Sequence, residues 1–364
     1  MKVVTILGAR PQFIKAAAVT RAIRDKGGMI GEIIVHTGQH FDANMSDIFF
    51  QELGIPAPAY NLGITADRHG EMTGRMLTGI EEVLYGERPD AVLVYGDTNS
   101  TLAGALAAAK MHIPVAHVEA GLRSFNRLMP EEINRIVADR LSSLLFCPSD
   151  TAVDNLHREG IIDNVHNVGD VMYDAILHYR KLAASIDPAR CWSLGEKQYV
   201  VCTVHRAENT DSAGRLRNIL AALGRIAETM PVVLPLHPRT KKMAAHWGIE
   251  DLLTPLTVLP PVGYLEMIRL QAGASCILTD SGGMQKEAFF LQVPCLTLRD
   301  ETEWVETVAS GWNTLCGADE ALICKAWQET DQRQRLAFPQ PYGDGRAAEK
   351  IADLLLARHP DRAA

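Results

Sequence analysis

Clustered basic charge is missing from this 364-residue sequence: 36 Lys and Arg stand against 44 Asp and Glu, a net charge of −8 spread along the chain with no cationic run. Binding to a phosphate backbone depends on grouped Lys and Arg, so a nucleic-acid partner is not expected. Paired-cysteine motifs are missing too. The seven cysteines, Cys147, Cys191, Cys202, Cys276, Cys295, Cys316 and Cys324, include no C-x-x-C pair, and most lie in apolar, strand-like runs where a reduced thiol packs as a small hydrophobe. This excludes a disulfide framework and a two-cysteine zinc site. Isolated carboxylates such as Asp97 do not make a metal site, so the chemistry is read as metal-free. Long apolar runs are also lacking. The stretch 102–109 falls well short of the roughly 18 residues of a membrane span. The N-terminal run 2–8 is too short, and too soon followed by Arg10 and Lys15, to be a signal-peptide core. A cytoplasmic protein without membrane insertion is expected.

What is present is a globular composition, 47% hydrophobic and 22% charged. The length predicts two domains, each large enough for its own core. Short β-branched runs alternate with longer segments of helical period, the pattern of parallel βα units with sheets buried on both faces. Strands are predicted at 3–7, 32–36, 91–95, 115–118, 144–147 and 166–168, then at 199–204, 232–236, 257–259, 276–278 and 295–298. The fold class is therefore α/β with two Rossmann-like halves. Residues 1–169 form the first domain, 170–198 a helical linker and 199–345 the second domain. A terminal helix over 346–364 is expected to pack back on the first. Open α/β sheets bind ligands beyond the carboxyl ends of their strands, so two sheets facing across a cleft would place the chemistry there.

Polar residues fall where that rule needs them. Predicted strands run directly into Gly8-Ala9-Arg10-Pro11-Gln12 with Lys15 beyond, Gly96-Asp97-Thr98-Asn99, Glu119-Ala120-Gly121-Leu122-Arg123, His205-Arg206-Ala207-Glu208-Asn209, His237-Pro238-Arg239 and Asp280-Ser281-Gly282-Gly283. For any one of these, a helix cap or a turn is the simpler reading. Repetition at six strand ends favours a site. In Asp280-Ser281-Gly282-Gly283-Met284-Gln285-Lys286-Glu287, two glycines opening a helix leave N–H groups clear for an anion such as a diphosphate. Glu287, a turn into that helix, suits ribose hydroxyls, and Arg10 and Lys15 suit the same phosphates. The first βα turn has the single Gly8 where G-x-G-x-x-G is needed, and no G-K-[ST] occurs, so neither NAD nor ATP is implied as a cofactor. Asp97, Glu119, Glu131 and His205 are the candidate acid–base groups. Glu131 would serve equally as a first-turn helix residue, and His205 as a satisfied core histidine. The residues by themselves point to a phosphate-bearing small molecule and proton transfer.

Taken as a set, the strand-end motifs around Gly8-Ala9-Arg10-Pro11-Gln12-Phe13-Ile14-Lys15, Gly96-Asp97-Thr98, His117-Val118-Glu119-Ala120-Gly121-Leu122-Arg123, Pro130-Glu131-Glu132-Ile133-Asn134-Arg135 and Thr279-Asp280-Ser281-Gly282-Gly283 resemble the non-hydrolysing UDP-N-acetylglucosamine 2-epimerase family. The match runs to Pro341-Tyr342-Gly343-Asp344-Gly345 near the end of the chain. The segment 37–46, Asn99-Ser100 and Leu122-Arg123-Ser124-Phe125-Asn126 look most like the branch acting on UDP-2,3-diacetamido-2,3-dideoxyglucuronate, which makes the manno epimer for lipopolysaccharide O-antigen. Around Gln39-His40, where relatives acting on UDP-N-acetylglucosamine hold a second, activating UDP-sugar, the sequence departs from their pattern.

The resemblance implies a glycosyltransferase-B-like fold, a homodimer, a UDP-sugar partner and no cofactor. It implies anti elimination of UDP to a 2-acetamidoglycal, followed by re-addition after protonation of the other face. Asp97 and Glu131 are then the proton-transfer candidates, and Glu119 stabilises charge at C1 or tunes its neighbours. Arg10, His205, Ser281, Gly282 and Gly283 stabilise the diphosphate; Arg206 and His237 line the uridine pocket; Glu287 takes the ribose; Arg135 joins the substrate site. A C6 carboxylate calls for a further cation, with Arg123, Arg127 and Arg299 as candidates. A UDP-N-acetylglucosamine 2-epimerase, a glycosyltransferase of the same fold, a UDP-sugar sensor and a hydrolysing epimerase are the alternatives.

Overall fold

The computed structural model describes residues 1–38, 50, 52–330 and 338–358, and of Arg10 the backbone alone. Gln39-His40 lies outside the described residues. Two compact units are present: Met1–Ala175 together with the chain from Gln340 onward, and Ile176–Pro339. The division falls inside helix Val171–Ala183, and helices Val171–Ala183 and Pro188–Trp192 occupy much of the predicted linker.

Each unit holds one parallel sheet. In the first, strands β1 (Lys2–Leu7), β2 (Gly31–His36), β3 (Tyr60–Asn61), β4 (Ala91–Tyr95), β5 (Val115–Val118), β6 (Leu144–Cys147) and β7 (Val165–Asn167) lie in the order β3-β2-β1-β4-β5-β6-β7. In the second, β8 (Val200–Thr203), β9 (Val232–Pro235), β10 (Thr257–Leu259), β11 (Cys276–Thr279), β12 (Cys295–Thr297) and β13 (Asn313–Leu315) lie in the order β10-β9-β8-β11-β12-β13. The strand order reverses between β1 and β4 in one sheet and between β8 and β11 in the other. These are the points at which doubly wound sheets open a crevice for ligand. The sequence reading misses β3 and β13, which have two and three residues and carry no β-branched run of their own.

The central strands are buried along their whole length, as strands covered by helices on both faces must be. The apolar stretch 102–109 lies within helix Asn99–Lys110, whose small residues pack into the core of the first sheet. No helix among the described residues is long and apolar enough to cross a membrane.

Polar side chains fix the loops at the reversal point. Gln12, 1% exposed, accepts from the Gly8 and Ala9 amides at 2.8 and 3.0 Å through Oε1. Its Nε2 donates to the Tyr95 carbonyl at 2.8 Å and to the Thr98 hydroxyl at 2.9 Å. One buried amide thus ties the end of β1 to the end of β4. Gly8 is glycine for space: a Cβ there would lie 2.0 Å from Ser100 Oγ and 2.3 Å from Thr37 Oγ1.

The chain returns to the first unit through helix Ala347–Ala357, which packs on helix Arg10–Asp25. Asp174 receives it, accepting from the Ala347 and Ala348 amides at 3.1 and 2.7 Å. Desolvation by burial pushes the Asp174 carboxyl up to about 6, against the pull of those two amides.

Two outcomes follow. Gln12→Ala leaves the Gly8 and Ala9 amides without their acceptor in a dry site, and urea unfolding should show a loss of about 2–4 kcal/mol. Because the folded protein holds the Asp174 proton more tightly than the unfolded chain, its contribution to stability is full below about pH 4 and is lost as pH rises through about 6. Measured from pH 4 to 7, wild-type stability should therefore fall relative to that of Asp174→Asn.

Candidate active site

In the first unit the ends of β1, β4 and β5 bring two cation–carboxylate pairs together. Lys15, on the second turn of helix Arg10–Asp25, forms a salt bridge with Glu119 Oε2. Arg135, on helix Pro130–Leu141, pairs with Asp97 Oδ2 through Nη2 and at 3.1 Å through Nε. The pairs are neighbours, since a Cβ on Gly96 would lie 3.2 Å from Glu119 Oε2 and 3.4 Å from Lys15 Nζ. Glu119 is 7% exposed, whereas the Asp97 side chain keeps 29% of its surface open. Desolvation pushes the Asp97 carboxyl above the ordinary aspartate range; Arg135 and Lys15 pull it down and Glu119 adds to the push. A half-open carboxyl raised in this way, beside a second carboxylate, is suited to taking up and giving back a proton.

Glu131 is exposed on the first turn of helix Pro130–Leu141, outside this pair of ion pairs. Its neighbour Glu132 is the buried one. Glu132 accepts from the Ser124 amide at 2.9 Å, the Phe125 amide at 3.0 Å and Arg135 Nη1 at 2.9 Å, and so pins the loop before Glu131. Arg123 requires a correction. Its side chain is 1% exposed, with Nη1 donating to Asp139 at 2.7 Å and Nε and Nη2 gripping Glu159 at 2.7 and 2.8 Å. A guanidinium committed to two carboxylates has no fork left for a substrate.

In the second unit Asp280 ties the ends of β8 and β11 together. Fully buried, it accepts from the His205 amide at 3.0 Å, the Arg206 amide at 3.0 Å and Asn209 Nδ2 at 3.1 Å. His205 Nδ1 stands 3.3 Å from Asp280 Oδ1, so the imidazole is oriented by the same carboxylate. Helix Gly282–Phe290 follows β11 after two residues, Asp280 and Ser281, with Ser281 as N-cap and Gly283 exposed. That presents free N–H groups and the positive end of the helix to an anion.

Glu287 is 6% exposed and accepts from Gln271 Nε2 at 2.7 Å. His237 caps helix Pro238–His246, its Nδ1 accepting from the Arg239 amide at 3.1 Å, and its ring lies 5.4 Å from that of His205. Burial, with His205 beside it, lowers the His237 pKa. Arg206 is half-buried at the start of helix Ala207–Thr210. Arg299 is 3% exposed, with Nη1 on Glu303 at 3.1 Å. The Arg10 backbone opens its helix at the end of β1, while its side chain lies outside the described residues. No group of three or more His, Cys, Asp or Glu among the described residues could hold a metal ion.

Gln12, His117, Glu132, Asp139 and Asp280 shape the site; the sequence reading quotes all but Asp139 within motifs and assigns a role to none of them. One signal was there for His117. A histidine inside Val115-Ala116-His117-Val118, a strand buried on both faces, must find partners for its ring nitrogens.

A model of the UDP-N-acetylglucosamine 2-epimerase family matches residues 21–356. The UDP-2,3-diacetamido-2,3-dideoxy-D-glucuronate 2-epimerase of Pseudomonas aeruginosa is 53% identical, over 98% of this chain and 99% of its own. The crystal structure of Methanocaldococcus jannaschii UDP-GlcNAc 2-epimerase in complex with UDP-GlcNAc and UDP matches with a TM-score of 0.89 at 45% identity, covering 98% of this chain and 100% of that one. At 11% identity and a TM-score of 0.54, over 97% of this chain and 95% of the other, a glycosyltransferase involved in lipopolysaccharide biosynthesis shares the fold. With near-complete coverage at such identity, and with the family's motifs gathered at the two strand-order reversals, the chain belongs to the UDP-N-acetylglucosamine 2-epimerase family.

Proposed function

We propose that the chain is a UDP-2,3-diacetamido-2,3-dideoxy-D-glucuronate 2-epimerase, inverting C2 from gluco to manno for lipopolysaccharide O-antigen. The observation that carries this reading is the end-to-end similarity to the Pseudomonas aeruginosa enzyme of that name. The working form in this proposal is the homodimer that the family resemblance implies, in the cytoplasm.

The reaction must break the bond from C1 to the diphosphate oxygen and remove a proton from C2 on the opposite face. The electron pair of the C2–H bond becomes the C1–C2 double bond of a 2-acetamidoglycal, and UDP leaves with the bonding pair from C1. Protonation of C2 on the other face and return of UDP to C1 complete the inversion. The C2 proton is weakly acidic, so stabilising the departing diphosphate lowers the barrier most. In this reading the nucleotide falls to the second unit, with the Gly282 and Gly283 amides, Ser281 and His205 on the diphosphate, Glu287 on the ribose and Arg206 and His237 at the uracil. The sugar falls to the first unit. Asp97, raised by its surroundings and half-open, and Glu131, exposed, exchange the C2 proton, while Glu119, paired to Lys15, meets positive charge at C1.

The uronate's C6 carboxylate needs a cation. Arg123 is consumed by Asp139 and Glu159, and Arg299 is buried against Glu303. Arg127 remains: it is exposed on the loop that leads to Glu131 and makes no ion pair among the described residues. A second reading, UDP-N-acetylglucosamine 2-epimerase, is favoured by the Methanocaldococcus jannaschii match and would need no such cation.

Two experiments test these assignments. Asp97→Asn and Glu119→Gln should each lower C2-proton exchange, followed by proton NMR in deuterated water, by about 100-fold or more while UDP affinity by calorimetry stays the same. Wild-type exchange in either variant would remove that residue from the chemistry. Arg127→Gln should raise KM for the diacetamido uronate about tenfold or more and leave the neutral UDP-N-acetylglucosamine untouched. Turnover of only the neutral sugar by the wild type would overturn the first reading in favour of the second.

A further inference from the structure

We propose that His117 and Asp139 are positioning residues, which hold the Asp97 and Glu119 turns at a fixed separation for proton transfer. Neither touches a reacting atom. The proposal rests on the assignment of Asp97 to the C2 proton and of Glu119 to the charge at C1.

Both side chains are fully buried, His117 in the middle of β5 and Asp139 on helix Pro130–Leu141. His117 Nε2 lies 2.7 Å from the Gly96 carbonyl oxygen, the group just before Asp97. A carbonyl only accepts, so Nε2 carries a proton and donates it. On the other side of the ring, Nδ1 lies 2.8 Å from Asp139 Oδ1. Asp139 in turn accepts from the Gly121 amide at 3.2 Å through Oδ2, two residues past Glu119. The imidazole and the carboxylate thus form a bridge with one end on the Asp97 turn and the other on the Glu119 turn.

The Glu119 turn needs holding. Glu119 is in the left-handed region at φ 72°, which is unfavourable for a residue with a Cβ. Gly121, at φ 81°, lies so close to helix Asp150–Arg158 that a Cβ would be 2.3 Å from the Ala152 carbonyl oxygen, and its own carbonyl accepts from Asn155 Nδ2 at 3.0 Å. With the backbone clamped on that side, Asp139 determines where the turn sits on the other. Arg123, through Asp139 and Glu159, supplies the balancing charge. Apolar side chains of the same volume would stabilise such a core at least as well as buried ions. They would offer neither a donor to Gly96 nor an acceptor to Gly121.

His117→Asn shortens the donor so that it no longer reaches Gly96, whereas His117→Gln places an amide nitrogen where Nε2 stands. For His117→Asn, C2-proton exchange per folded enzyme should fall about 10- to 100-fold with KM and UDP affinity unchanged, since small misplacements cost rate and not binding. His117→Gln should recover to within about fivefold of wild type. Asp139→Asn, which keeps one accepting oxygen where the carboxylate has two, should show the same fall in kcat at constant KM. Folding is checked by thermal melts and circular dichroism at the assay temperature. Wild-type kcat in folded His117→Asn or Asp139→Asn, or no recovery in folded His117→Gln, would overturn the positioning role. If Asp97→Asn and Glu119→Gln leave the exchange intact, the underlying assignment is what fails.

Discussion

The constraint on which the rest depends is the fixing of two neighbouring strand-end loops at each point where strand order reverses. Diverging loops open a crevice only if something holds their backbones against collapse or drift, and in both units a single buried acceptor does so. In the first it is Gln12, which takes the Gly8 and Ala9 amides and passes its own protons to the Tyr95 carbonyl and the Thr98 hydroxyl. In the second it is Asp280, which takes the His205 and Arg206 amides and the Asn209 side chain. The polarity runs in opposite directions: the first unit's acceptor is on the helix after its first strand, and the second unit's follows the strand across the reversal. The physical task is the same, since buried backbone N–H groups that leave a ladder must be satisfied.

Charge is arranged by a similar economy. Two carboxylates close together repel, and each would hold its proton more tightly without a cation. Lys15 and Arg135 divide that work, one for Glu119 and one for Asp97, and Asp97 remains raised by its burial. In the second unit the oxygens of Asp280 beneath the helix start are taken by amides and approached by the His205 ring, and Glu303 Oε1 stands beside Gly282, 2.6 Å from where a Cβ would be.

The arginines show how far a residue's type can mislead about its task. Arg123 and Arg127 stand four positions apart in one motif and look interchangeable as partners for a sugar carboxylate. Burial separates them completely: one is fastened to Asp139 and Glu159, the other stands in solvent. Glu131 and Glu132 divide in the same way. Consecutive residues on a helix point about 100° apart, and here that angle sends one carboxylate outward and the other down to hold the Ser124 and Phe125 amides.

The α/β class, most strand positions and the placing of polar groups at strand ends were determined by the sequence alone, because short β-branched runs and their polar punctuation are local properties. Asp97, Glu119, His205 and the Ser281-Gly282-Gly283 helix start could be named for the same reason. Strands β3 and β13 were not legible, being too short to carry a pattern and existing only because a neighbouring edge accepts them. The partner of each charge was decided by the tertiary structure. His117 meets Gly96 and Asp139 over separations of 21 and 22 residues, and Lys15 meets Glu119 across 104. Pairing at such distances depends on which strands become neighbours when the sheet closes its ladders, and no window of sequence contains that information.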